Sequence, residues 1–175
     1  MSVELHTAIT PPLQLRTFLP KAALNLQRLL NSPEIPYLTF GAMEDGRRVP
    51  VDTDELIDRS SQFFLVSIEG EPETVGLLTD GESLGIVMGA QRTKLEYALG
   101  AAIAITAALM ADGKVEDDWL YFGDEPYCDA NQLLEKLRLQ TVAATGTGLR
   151  HSSEALVLGH ERQLGKDVLG LSPEM

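Results

Sequence analysis

From Ala98 to Ala111 the chain reads "ALGAAIAITAALMA", 14 residues without a charge. Arg92, Lys94 and Glu96 precede it, and Leu95, Leu99, Ala102, Thr106 and Leu109 share a stripe, so the spacing predicts a helix over 92–111. A helix with no polar face must be covered on several sides, by a sheet, by another helix or by a second copy of the chain. It is too short and too rich in alanine to span a bilayer, which takes about 20 predominantly apolar residues. Gly100, Ala104 and Ala108, four apart, let a neighbouring backbone come close. An intrachain neighbour is the plainer expectation and a homodimer seam the alternative. Gly113 is placed to end the helix in a left-handed conformation.

The surroundings of that helix read as an antiparallel sheet. "FFLVSIE" at Phe63–Glu69, "TVGLLT" at Thr74–Thr79 and "SLGIVMG" at Ser83–Gly89 are apolar, β-branched runs divided by a Gly-Glu-Pro-Glu turn and by Asp80-Gly81. Asp-Gly suits a tight type I′ turn, so a meander over 63–89 is predicted. "DDWLYFG" adds a strand near 119–122. Two further runs, Tyr37–Phe40 and Arg48–Val51, make a hairpin about Asp45 and Gly46. Ala23, Leu26, Leu29 and Leu30 recur at helical spacing, with Lys21, Asn25 and Arg28 elsewhere. A helix over 20–30 is predicted, with Pro20 in its first turn and Pro33 and Pro36 beyond its end. Asp52 and Glu55 form a capping box for a short helix to about Ser60, and Asp129 with Gln132 form another for a helix over 130–139. The predicted class is α+β: one domain over 1–140, then an extended arm or partly disordered tail over 141–175.

Bulk properties narrow the function. The formal charge of -12 disfavours nucleic acid and anionic membranes, which are bound by concentrated Lys and Arg, and leaves basic partners open. Cys128 is the single cysteine, so no intrachain disulfide exists. The opening "MSVELHTAITPP" has no basic stretch followed by an apolar one, and a cytoplasmic location is expected.

The acidic charge is concentrated. Ala111–Glu135 holds eight carboxylates against Lys114 alone, contributing -7 of the total -12. Anions just past a helix C-terminus oppose its macrodipole, at about 0.3 to 1 kcal/mol each in low salt, so local stability does not explain them. They are either a solvated, solubilising loop or a docking patch for a basic partner protein. The patch residues are Asp112, Glu116, Asp117, Asp118, Asp124 and Glu125. A calcium loop starting at Asp112 fails, since its third, sixth and twelfth positions are Lys114, Asp117 and Gly123. No GxSxG, HExxH, CxxC or P-loop occurs, and "GTGLR" at Gly146–Arg150 lacks the Lys-Ser/Thr ending. Neither a catalytic residue, a metal nor a cofactor is assigned.

In the order of hairpin, Ala-rich helix, turn and short helix over Phe63–Leu139, and in "LEYALGAAIAITAALMADGKVEDD", the chain resembles bacterial immunity proteins of polymorphic and contact-dependent toxin systems. The resemblance implies a non-enzymatic cytoplasmic inhibitor that captures one toxin domain by charge and shape. "MADGKVEDD" is also similar to the acidic turn of the TerB tellurite-resistance family, which implies a metal-responsive stress protein. An enzyme of unrecognised class is the third reading.

Overall fold

The computed structural model describes residues 5–9, 12–52, 56–57, 63–80, 82–89, 93–111, 113–122, 125–142 and 148–159. In chain order the elements are β1 (Leu5–Ala8), β2 (Leu13–Gln14), α1 (Leu15–Leu30), β3 (Leu38–Glu44), β4 (Arg47–Pro50) and β5 (Leu56–Ile57). They continue with β6 (Phe63–Ile68), β7 (Thr74–Thr79), β8 (Ser83–Met88), α2 (Lys94–Met110), β9 (Lys114–Glu116), β10 (Tyr127–Asp129), α3 (Ala130–Val142) and α4 (Leu149–Ser153). Eight strands make one antiparallel sheet in the order β10-β9-β1-β8-β7-β6-β3-β4, and β2 pairs with β5 apart from it. The fold is α+β, with the 63–89 meander at the middle of the sheet.

The alanine-rich helix is the centre of the molecule. α2 rests on β1, β7, β8 and β9 and touches α1, α3 and α4. Every residue from Leu95 to Ala108 is buried, and only at Leu109 does the helix emerge, 40% exposed. Gly100 serves the sheet: a Cβ there would run into the side chain of Met88, and Ile86 lies next to it. The first turn is capped by Thr93, whose Oγ1 accepts the Glu96 N–H at 3.2 Å, while the Glu96 carboxylate accepts the N–H of Gly89. Between α1 and α2 sits one buried polar contact, in which Asn25 Nδ2 donates to Thr106 Oγ1 at 2.9 Å and Thr106 donates on to Ala102 O. Asn25, expected on the polar side of its helix, is therefore part of the interior.

Three expectations are corrected. α1 begins at Leu15, so Pro20 lies inside it. Leu15 and Phe18 extend the apolar stripe toward the N-terminus and are 1% and 0% exposed. Their burial offsets a proline that brings no N–H to the helix, a defect of about 3 kcal/mol in an interior. The short helix to Ser60 is overturned at Leu56–Ile57, which are a strand paired to Leu13–Gln14; residues 53–55 and 58–62 lie outside the described set. The positive-φ Asp-Gly turn is that of Asp45 and Gly46, at φ 47° and 76° between the paired Glu44 and Arg47. Asp80 has no such φ; it accepts the Ser83 and Glu82 N–H groups at 2.7 and 3.0 Å, which hold its carboxyl below the usual value, and Gly81 lies outside the described residues.

β1 is a strand that no local pattern announces. It lies between β8 and β9, with Leu5 and Thr7 buried and His6 on the opposite face. Thr7 Oγ1 donates to Lys114 O at 3.1 Å, fastening the N-terminal strand to the segment after α2. Among the described residues no helix is long and apolar enough to cross a membrane.

Candidate functional site

Past Met110 the chain turns where the sequence places the turn. Gly113, at φ 82°, donates its N–H to Ala108 O at 2.7 Å and closes α2. The chain then enters β9, whose Val115 is buried and whose Lys114 and Glu116 face outward. β9 hydrogen-bonds to β1 on one side and to β10 on the other, which puts His6, Glu116 and Tyr127 in register across three strands.

The strand expected near 119–122 is a turn, and Asp117 is the reason. Its carboxylate is fully buried and accepts the N–H of Tyr121 on Oδ1 at 2.9 Å and of Phe122 on Oδ2 at 2.7 Å. Its own N–H donates to Pro126 O at 2.7 Å, and its carbonyl accepts from Leu120, a non-glycine residue at φ 53°. N–H groups that a strand would give to a neighbour are thus spent inside the loop. Phe122 carries no exposure and fixes the loop to α2 by packing edge-on to Tyr97, 6.3 Å between ring centres.

The six patch residues therefore divide. Asp117 is withdrawn from the surface and removed from the patch. Glu116, Asp118 and Glu125 stay at or near the surface, and Asp112 and Asp124 lie outside the described residues. Asp118 Oδ2 lies 3.7 Å from His6 Nε2. Glu116 accepts a hydrogen bond from the Tyr127 phenol. That bond, then the Glu116 charge, then partial burial and Asp118, raise the phenol above its ordinary value near 10. The sign is that of an acid whose neutral form is favoured: the contribution is full below about 10 and lost as pH rises through the higher folded value. Glu116→Gln is expected to bring the Tyr127 titration back toward the ordinary value, as ultraviolet difference absorbance would show; an unmoved titration would contradict the contact.

Around Tyr127 lie two shallow hollows. One, of about 410 Å³, is lined by His6, Asp80, Glu82, Ser83, Lys114 and Glu116. The other, of about 350 Å³, is lined by Glu125, Asp129, Gln132 and Lys136 with Cys128 and Leu133. Tyr127, the first residue of β10, is 62% exposed and borders both; Trp119, on the loop between β9 and β10, is 58% exposed. Trp119, Tyr127, His6, Asp80 and Glu82 were not singled out from sequence. The two aromatics lie within the acidic segment Ala111–Glu135 and could have been added from their position alone. His6 and the β7–β8 turn arrive only through the sheet order.

Asp129 caps α3 as its spacing requires, with Oδ1 accepting the Gln132 N–H at 3.0 Å. Cys128 is half-buried and its thiol faces Glu125 O at 3.7 Å. Among the described residues no group of three or more His, Cys, Asp or Glu side chains is arranged to hold a metal ion. The face presents the accessible Tyr127 ring among Glu116, Asp118 and Glu125, an arrangement that suits a cationic group laid over an aromatic surface. The chain matches no protein-family profile, no curated protein and no solved structure.

Proposed function

We propose that this chain is a non-catalytic binding protein that captures a basic partner protein on the Tyr127 face, in the manner of an immunity-type inhibitor. One observation carries the reading: Tyr127, 62% exposed at the start of β10, stands among Glu116, Asp118 and Glu125, and the loop between β9 and β10 displays Trp119, 58% exposed. Large exposed rings on a monomer are where binding energy is commonly concentrated, since Trp and Tyr dominate interface hot spots. Carboxylates around them steer a basic partner into contact and disfavour acidic ones. The chain's -12 charge acts in the same direction at longer range.

The test separates the two contributions. The partner that co-purifies with the wild-type chain from its native cell is titrated against two variants. The triple variant Glu116→Gln, Asp118→Asn, Glu125→Gln is expected to slow association about tenfold in low salt and to flatten its salt dependence. Trp119→Ala is expected to act on dissociation, weakening binding by about 1–3 kcal/mol. Both leave folding stability within about 0.5 kcal/mol per site, because these side chains hold little of the core. Affinity unchanged in both variants rejects the Tyr127 face as the capture surface.

A further inference from the structure

We propose that the segment Gly148–Gly159 is a strap that sets the conformation of the β9–β10 loop, an ion pair at the β6–β7 turn thereby controlling the shape of the docking face. The inference rests on the reading of that loop as the face where a partner is met.

The strap is fastened at both ends to different parts of the fold. At its start Arg150 reaches Glu71 at 2.7 Å and Glu73 at 2.9 Å. The Glu73 side chain is fully buried, and it also accepts from Thr93 Oγ1 at 3.0 Å, the residue that caps α2. In the middle, Lys94 Nζ donates to the carbonyls of Glu154 and Leu156 at 3.2 and 2.8 Å, and Leu156 and Leu158 are buried in the core. Gln140 of α3 accepts the Val157 N–H at 3.1 Å. At its end Gly159 donates to Tyr121 O at 2.8 Å, and its α-carbon lies so close to Leu120 that a Cβ would strike that residue's carbonyl oxygen.

The last contact gives the strap its consequence. Leu120 and Tyr121 are the residues that Asp117 bends into the loop carrying Trp119, so Gly159 presses on the back of the turn that Asp117 holds from inside. A run of bonded groups joins Arg150 to Tyr121 without a break. Arg150 and Lys94 supply the charges. Leu156 and Leu158 hold the middle of the strap in the core, and its ends, held by polar contacts, open locally at less cost than the core does. Opening here would free Leu120 and Tyr121 on one side and alter how Trp119 is presented.

Residue-resolved amide hydrogen exchange tests this without any partner. In Arg150→Ala the Tyr121 and Phe122 amides are expected to exchange about tenfold faster or more, while Ile103 and Ala104 in the middle of α2 keep their wild-type rates. Arg150→Lys, which keeps the charge, should restore much of the protection. Gly159→Ala should accelerate the same two amides from the opposite end, and if it does not fold the Arg150 pair decides alone. Unchanged exchange at Tyr121 and Phe122, or equal acceleration at Ile103, overturns the strap. Because no partner enters the measurement, its failure leaves capture at the Tyr127 face untouched, and failure of capture leaves the exchange result standing.

Discussion

Phe122→Ala is expected to destabilise the chain by about 3–5 kcal/mol, the range for deleting a fully buried phenylalanine. Phe122 has no exposure and lies in an aromatic trio with Tyr97 and Tyr121, the two tyrosine rings being 4.9 Å apart and Phe122 meeting each nearly edge-on. Each such pair adds about 0.5–1.5 kcal/mol beyond the area it hides. Tyr97 is in the second turn of the central helix, so the trio anchors the loop between β9 and β10 on the most deeply buried element of the fold. The loss should appear as a lower denaturant midpoint with an unchanged slope. Phe122→Leu, which keeps most of the volume, should cost less than about 1.5 kcal/mol. A Phe122→Ala midpoint near wild type would mean that the loop is not seated as described.

Asp117→Ala is the second large effect, and its contrast with Asp118 is informative. Removing the Asp117 carboxylate leaves the Tyr121 and Phe122 N–H groups without their acceptor, and an orphaned buried donor costs about 1–3 kcal/mol. Asp117→Asn is expected to fall short of full rescue: one amide oxygen can accept one N–H, and the amide nitrogen then faces the other, donor against donor. Asp118→Asn, at an exposed site, should stay within about 0.5 kcal/mol. Thermal melts of the three variants side by side check the ordering. If Asp117→Ala melts with Asp118→Asn, the buried carboxylate is not what shapes the turn.

These two neighbouring aspartates show where reading from sequence stops. Both belong to one acidic run beyond a helix C-terminus, and the macrodipole treats them alike. Which of them points inward depends on where the Tyr121 and Phe122 N–H groups lie, and that is set by the positive φ of Leu120 and by β9 pairing with β1 and β10. The same dependence explains "WLYF": its composition favours a strand, but the Tyr121 and Phe122 N–H groups that a strand would pair are taken by Asp117. At Pro20 the propensity is real and is overridden by burial of Leu15 and Phe18. Thr93, by contrast, had a legible signature: with Glu96 it makes a Thr-x-x-Glu pattern at the start of the helix.

Local chemistry was sufficient for the meander, the Asp45-Gly46 turn, the end of α2 at Gly113, the cap at Asp129 and the burial of the alanine-rich helix. Each follows from a period, a required φ or a cap that acts within a few residues. The tertiary structure alone decided that residues 5–8 would be an interior strand, that His6 would stand beside Glu116 and Asp118, and that residues 148–159 would lie against the loop carrying Trp119. Those contacts join segments that are far apart in the chain, and their free energy comes from pairing and burial that exist only once the sheet has closed around α2.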